Sequence, residues 1–191
     1  MAQDEVNGCK LLVIGGSAGS LEVLLQVFPH LRKDLAFPIV VIMHRKAAAE
    51  STLEDLLNSK TQLKVKEADD KETIRPGVIY IAPADYHVLI EKDGTLSLDA
   101  SEKINYCRPA IDITFETAAD SLGPALTCLL LSGANADGAN GLRSAASLGA
   151  RILIQDPTTS DVSYMPQAGL AAVKSATVLA IKEISGTINS L

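Results

Sequence analysis

The chain has 191 residues, 47% of them hydrophobic, a formal net charge of −6 and a pI near 5.0. This acidic balance argues against a nucleic-acid binder, whose footprint is a basic face, and no run approaches the ~20 apolar residues of a membrane helix. No signal peptide is evident, and three scattered cysteines are typical of a reduced intracellular protein. We therefore expect one cytoplasmic domain over residues 1–191, with a flexible N-terminal tail at 1–9, no nucleic-acid partner and no membrane insertion.

Short apolar runs recur along the chain and predict β-strands buried on both faces, as in a parallel sheet. They cover residues 11–14, 38–43, 63–66, 78–82, 88–91, 126–131 and 152–155. Helical patterns lie between many of them, with a capping box at 51–54 and helix starts near Pro109 and Pro166. The alternation predicts an α/β fold, a doubly wound and mostly parallel sheet with helices on both faces. The turn signal at 92–95 predicts a β-hairpin at one edge of that sheet.

The first predicted strand ends in a glycine-rich turn, Gly15-Gly16-Ser17-Ala18-Gly19. The turn does not fit G-x-G-x-x-G, and it lacks the lysine of a P-loop, so the nucleotide-binding patterns fail. It does match G-x-S-x-G, in which a serine is exposed at a tight strand-to-helix turn beside backbone N–H groups. On these residues alone, Ser17 is either a nucleophile or an incidental serine in a glycine-rich loop.

A nucleophilic serine needs a base, and the chain offers three histidines. His30 ends the first helical pattern, and His87 lies in the hairpin region without a motif around it. His44 directly follows the most strand-like run of the chain. Open parallel sheets form their sites at the carboxyl ends of strands, so His44 and Ser17 would share one edge. A strand-end histidine bonded to a backbone carbonyl is an equally good interpretation of His44 by position.

The carboxylate that orients the base is predicted in the loop after residues 126–131, at Asp137. Because glycine follows it, a plain turn or N-cap aspartate is the competing interpretation. The spacing of Asn135, Asp137 and Asn140 does not fit a calcium loop. Loops after three strands thus bring a serine, a histidine and an aspartate to one rim, the composition of a catalytic triad. No metal site is predicted.

Six stretches, in order, resemble the catalytic domain of the CheB-type chemotaxis protein-glutamate methylesterases. They are IGGSAG at 14–19, VIMH at 41–44, GVIYIAP at 77–83, RPAID at 108–112, LSGANADG at 131–138 and MP at 165–166. The resemblance covers residues 11–178. The order Ser17, His44, Asp137 matches that family and differs from the Ser–Asp–His order of α/β-hydrolases.

The resemblance implies hydrolysis of γ-glutamyl methyl esters on the cytoplasmic helices of methyl-accepting chemoreceptors, with deamidation of certain glutamines and no cofactor. Ser17 would attack the ester, His44 would transfer the proton, and Asp137 would orient the imidazole. Four further positions are implied in oxyanion or substrate binding: Ala18, Ala134, Arg108 and Met165.

The sequence departs from the family beside the expected site. The chain leaves no room for the usual receiver domain, so control would come from elsewhere, such as a separate receiver or methyltransferase protein. The usual methionine, glycine and asparagine after Gly133 are Ala134, Asn135 and Ala136.

After His44, Arg45 and Lys46 replace the residues usual in the family. They are expected either to attract an acidic receptor surface or to be plainly solvent-exposed. Arg108 is expected either to bind substrate or to brace its loop. Two other functions stay open: the same triad acting on another protein ester or amide, and an inactive binding or scaffold module of a signalling array.

Overall fold

A computed structural model describes residues 8–45 and 50–191, so Lys46 and most of the predicted tail at 1–9 lie outside the described residues. The strands are β1 (Leu11–Gly16), β2 (Ile39–Met43), β3 (Lys64–Glu67), β4 (Val78–Ile81), β5 (His87–Ile90), β6 (Leu96–Asp99), β7 (Leu126–Leu130), β8 (Arg151–Gln155) and β9 (Thr177–Leu179). The helices are α1 (Ser20–Val27), α2 (Glu50–Asn58), α3 (Ile111–Leu122), α4 (Ala139–Ser147), α5 (Tyr164–Ala172) and α6 (Ile181–Asn189). Within these ranges, no helix has the length and hydropathy that a bilayer crossing requires.

Seven strands form one parallel sheet in the order β3-β4-β2-β1-β7-β8-β9. From β1 the chain builds β2 and the edge strand β3 on one side, inserts β4 between them, and then returns to build β7, β8 and β9 on the other side. The predicted doubly wound α/β fold is therefore confirmed. The carboxyl ends of β1, β2 and β7 meet where the winding reverses, which is where open sheets of this kind place their sites.

Both faces of this sheet are covered, which explains why its strands are unbroken apolar runs. Leu11 and Val13 of β1 face the side of α3, α4 and α5, whereas Leu12 and Ile14 face the side of α1 and α6. All four are at most 1% exposed, and burial of each such side chain contributes about 1.5–3 kcal/mol.

The predicted hairpin forms from β5 and β6, but these strands pair antiparallel as a separate two-stranded sheet and do not extend an edge of the large sheet as predicted. It packs against α3 through Val88, Ile90 and Leu96, so it lies on the side of the large sheet that α3, α4 and α5 cover. Gly94 closes its turn with a positive φ of 80°. The last strand and helix, β9 and α6, were not predicted, because β9 has three residues and two of them are exposed.

Helices α3 and α4 approach each other closely at Gly141, and this contact holds the loop before α4 against α3. A Cβ at Gly141 would lie 2.7 Å from Phe115 Cβ and 2.8 Å from the carbonyl oxygen of Asp112. We expect Gly141→Ala to lower the free energy of unfolding by about 1–3 kcal/mol, because the helices must separate. Urea denaturation measures the change.

Gly186 in α6 is the matched control, since nothing lies within 4 Å of a Cβ built there. Gly186→Ala is expected to be neutral or to stabilise by up to about 1 kcal/mol through helix propensity. Equal unfolding free energies for the two variants would contradict the close packing of α3 and α4.

Candidate active site

Ser17 lies in the turn between β1 and α1, held on both sides by backbone hydrogen bonds. Its N–H donates to the carbonyl oxygen of Ser132 at 2.9 Å, and its own carbonyl accepts the hydroxyl of Ser20 at 2.6 Å. Gly19 then takes a φ of 81°, a conformation that favours glycine, as the N-cap of α1. The glycine pattern thus produces the predicted turn, and Ser17 remains partly exposed.

His44 stands beside this turn because β1 and β2 are neighbours in register. Gly16 pairs with Met43, so Ser17 and His44 are the next residues of adjacent strands. The His44 N–H donates to the carbonyl oxygen of Gly16 at 3.2 Å, and the side chain is 13% exposed. The backbone therefore places Ser17 and His44 at the same edge of the sheet, as expected.

Asp137 reaches His44 from the loop after β7, across the top of the sheet. Its Oδ2 lies 2.7 Å from His44 Nε2 and accepts the N–H of Ile111 at 2.7 Å, while its Oδ1 accepts the N–H of Asp112 at 3.0 Å. These last two donors are the first N–H groups of α3, where the helix dipole favours a negative charge. The carboxylate is fully buried, and three N–H groups fix its orientation.

The other nitrogen of His44, Nδ1, faces the thiol of Cys107, with 3.8 Å between Nδ1 and Sγ. The amide of Asn135 donates to the same sulfur at 3.3 Å. In the described chain the Ser17 hydroxyl makes no hydrogen bond to His44. Burial raises the pKa of Cys107, and the charge of Asp137 adds to the effect, so the thiol stays protonated near neutral pH. Nothing in the sequence pattern singled out Cys107, because His44, which it contacts, is 63 positions away in the chain.

His44, Cys107 and Asp137 also present three groups of the kinds that bind metals, within 4.8 Å of one another. However, both oxygens of Asp137 already accept N–H groups. The geometry therefore fits a hydrogen-bonded chain of side chains better than a set of metal ligands.

Asp112 has a role like that of Asp137. It lies in the first turn of α3 and accepts the N–H of Gly141 in α4 at 2.7 Å. The two carboxylates thus tie the starts of α3 and α4 to each other. Burial is the main cause that raises the pKa of Asp112 above its ordinary 3.8.

The raised pKa of Asp112 leads to a pH-dependent stability. The folded protein holds the proton more tightly than the unfolded chain, so the contribution is fully present below the ordinary pKa and is lost as pH rises through the folded pKa. We therefore expect wild type to lose unfolding free energy relative to Asp112→Asn as pH rises above about 4. Urea titrations of both proteins at a series of pH values measure this. If the difference in unfolding free energy between the two proteins stayed constant with pH, the raised pKa of Asp112 would be contradicted.

Ala18 and Ala134, which the resemblance implies in oxyanion or substrate binding, lie in the turn of Ser17 and in the loop that begins with Ser132. Within the described residues, their N–H groups donate no hydrogen bond, and both residues are exposed. The Ser132 hydroxyl joins the two loops, since it lies 2.7 Å from the Ala18 carbonyl oxygen, and it also accepts the Val162 N–H at 3.0 Å. No sequence pattern indicated this role of Ser132.

Met165 is fully buried and packs against Gly133, where an added Cβ would lie 2.6 Å from its sulfur. Its N–H donates to the carbonyl oxygen of Gly133 at 2.9 Å. Met165 therefore supports the loop that carries Ala134, and its implied part in oxyanion or substrate binding stays a prediction.

A cavity of about 420 Å³ opens over His44 and Cys107. Its other lining residues are Arg45, Asp85, Lys103, Tyr106, Arg108 and Pro109. Arg108 braces its loop, because Nη1 donates to the carbonyl oxygens of Ala100 and Ser101 at 2.8 and 2.7 Å. It also faces the cavity, so both interpretations of Arg108 remain compatible with its position. A larger groove of about 950 Å³ between α1 and α6 contains none of these residues.

The expectation that Arg45 is plainly solvent-exposed is wrong. Its side chain is 13% exposed, forms an ion pair with Glu67 and donates to the carbonyl oxygen of Ala82 at 3.3 Å. Lys46 lies outside the described residues.

The remaining histidines do not take part in this site. His30 is exposed at the end of a short 3₁₀ turn after α1. His87 is fully buried, where its Nε2 lies 3.0 Å from the Glu102 carbonyl oxygen and its Nδ1 accepts the Ala110 N–H at 3.1 Å. His87 therefore anchors the loop that leads into α3.

Comparison with known proteins points to one family. A model of the family described as CheB methylesterase matches residues 12–188. The crystal structure of the Thermotoga maritima CheB methylesterase catalytic domain superposes with a TM-score of 0.90 at 33% identity, covering 96% of this chain and 98% of that one.

Curated relatives agree with this match. A Leptospira interrogans protein, provisionally assigned as a protein-glutamate methylesterase/protein-glutamine glutaminase, is 37% identical over 91% of this chain and 90% of its own length. A Maricaulis maris protein with that name is 38% identical over 85% of this chain, but over only 42% of its own length. The match to the Maricaulis relative therefore involves less than half of that protein.

Proposed function

Because the chain belongs to the CheB methylesterase family, we propose that it is a cytoplasmic serine hydrolase that demethylates γ-glutamyl methyl esters of chemoreceptors. Deamidation of receptor glutamines belongs to the same proposal, since it is acyl transfer at the same carbon. The observation that carries it is the 2.7 Å contact between His44 Nε2 and Asp137 Oδ2 directly beside Ser17.

The proposed reaction starts with proton transfer from Ser17. Asp137 accepts a hydrogen bond from the Nε2–H of His44, which leaves Nδ1 as the basic nitrogen. Nδ1 takes the hydroxyl proton while the Ser17 oxygen bonds to the ester carbon, and the tetrahedral intermediate then expels methanol, which receives that proton. Water attacks the acyl-serine by the same route and releases glutamate. Rotation of Ser17 toward Nδ1 completes the triad, in keeping with the loose hydrogen bonds of many free enzymes.

Ser17 is preferred over Cys107 as the nucleophile, although the Cys107 thiol faces Nδ1 at 3.8 Å. The raised pKa of Cys107 indicates that its surroundings do not activate it as a thiolate. Ser17 directly precedes Ala18 and is bonded to Ser132 in the loop of Ala134, and the free N–H groups of these two alanines would bind the oxyanion. Loss of one such donor typically costs ~100-fold or more in rate.

The proposed partners are the cytoplasmic helices of methyl-accepting chemoreceptors, with a separate receiver or methyltransferase protein as a regulator. We propose that residues 1–191 form one catalytic domain.

Methanol release from a methyl-esterified chemoreceptor fragment tests the function directly. In parallel, a serine-directed fluorophosphonate should label wild type on Ser17, as located by peptide mass spectrometry, and should not label His44→Gln. Hydrolysis of small acyl esters without release of receptor methanol would favour a different ester substrate. Absence of both labelling and hydrolysis, with retained receptor binding, would favour a scaffold module.

A further inference from the structure

The rim of the cavity over His44 contains an unusual concentration of strained backbone. Four non-glycine residues of the described chain have a positive φ, and two of them line this cavity, Asp85 at 63° and Tyr106 at 65°. A third, Asn105 at 49°, directly precedes Tyr106. Such conformations cost about 1–3 kcal/mol each and concentrate at functional sites.

Tyr106 sits at the tip of a two-residue turn next to the base. Ile104 and Cys107 exchange both backbone hydrogen bonds, at 3.1 and 2.8 Å, so Asn105 and Tyr106 form a tight turn with two left-handed residues. Cys107, the next residue, contacts His44. The Tyr106 side chain is 97% exposed, so the turn gains no burial from it.

The surroundings of Tyr106 combine apolar surface with positive charge. Ile104 is 41% exposed on the same turn. Lys103 and Arg108 line the cavity, and neither forms an ion pair with a carboxylate in the described chain. Arg45 is paired with Glu67, and Asp85 is the acidic residue of the lining. The lining therefore has two cationic side chains that form no ion pair in the described chain, Lys103 and Arg108, against one carboxylate. Outside the lining, Asp99 interacts with Arg108 and Glu102 precedes Lys103.

We propose that the 103–108 turn is a docking surface for an acidic polypeptide segment, with Tyr106 as its main contact and Lys103 as its charge-selective contact. The strained turn holds an aromatic ring in water beside the reacting groups, where it can pack on the substrate main chain with little loss of conformational freedom. The inference rests on the proposed function, because it assigns the segment that carries the ester.

Binding and turnover of one synthetic peptide test this surface. The peptide carries a single γ-methyl glutamate flanked by glutamates, and fluorescence anisotropy gives its Kd on a Ser17→Ala background, where the ester survives. Tyr106→Asn should weaken binding roughly tenfold, since exposed tyrosines at such positions are typical hot spots and asparagine tolerates the left-handed backbone. In the enzyme with Ser17 intact, KM should rise by a similar factor with kcat nearly unchanged.

Three comparisons make the test selective. Tyr106→Phe keeps the ring and should bind as wild type, and so should Leu148→Ala, a 41% exposed residue that does not line the cavity. Lys103→Gln should weaken binding more at low than at high ionic strength. Its effect should be smaller for a peptide in which glutamines replace the flanking glutamates.

The outcomes separate this inference from the function it rests on. An unchanged Kd for Tyr106→Asn, or a fall in kcat without a change in KM, would overturn the docking role. Binding that follows the expected pattern without methanol release by wild type would overturn the proposed hydrolysis and leave the docking surface standing.

Discussion

Replacing Ser17 by alanine is expected to lower ester hydrolysis by about 10⁴-fold or more, to a rate set by binding and the oxyanion groups alone. The reason is that no acyl-enzyme can form without the hydroxyl, while His44 and Asp137 keep their contact. Ser17 is partly exposed, and its structural hydrogen bonds come from its backbone, so alanine should fold normally. Methanol release from a methyl-esterified receptor fragment measures the loss.

Ser147→Ala is the matched control, because Ser147 is an exposed serine near the end of α4 and bonds only to the carbonyl of Ser144. It should hydrolyse as wild type. If Ser17→Ala retained more than about a tenth of wild-type activity, the Cys107 thiol would become the better candidate nucleophile, and Cys107→Ala would test it.

Asp137→Asn should lower kcat by about 10³–10⁴-fold and should also destabilise the fold. If the amide nitrogen takes the place of Oδ2, it faces both His44 Nε2 and the Ile111 N–H. The imidazole is then driven into the other tautomer, with its proton on Nδ1, and the base is lost. If the nitrogen takes the place of Oδ1, it faces the Asp112 N–H, so in either orientation a buried N–H of α3 is left unsatisfied at about 1–3 kcal/mol.

Both effects can be separated in one set of experiments. Stopped-assay kinetics give kcat, and urea denaturation gives the free energy of unfolding. Asp120→Asn, on the exposed side of α3, should change neither quantity. An Asp137→Asn enzyme with wild-type kcat would contradict the orienting role, whatever its stability.

Much of the fold could be predicted, because its strands are buried on both faces and therefore leave unbroken apolar runs in the sequence. The large sheet was expected in this way, the covering helices from helical spacing and capping residues, and the hairpin from the turn signal at 92–95. The short strand β9 and the helix α6 were missed, since three residues with two exposed carry no such pattern. The glycine turn at Ser17 was predictable for a local reason, since Gly19 takes a conformation that other residues adopt with difficulty.

The surroundings of the side chains were less predictable. The sequence indicated that His44 would stand beside Ser17, but not that Arg45 would be buried against Glu67 in the next strand but one. Likewise Met165 matched a motif, yet packing places it beneath Gly133. Burial of a charged or apolar side chain depends on which elements cover it, and local patterns do not contain that information.

The sequence by itself determined that Ser17, His44 and Asp137 follow the strands β1, β2 and β7, and hence that they share one edge, because strand pattern and turn chemistry are local. Only the tertiary structure decided that Nε2 of His44 faces Asp137, 93 positions away, and that Nδ1 faces Cys107. The reason is that the first N–H groups of α3 donate to the Asp137 carboxylate and fix its position, so that it faces Nε2 of His44.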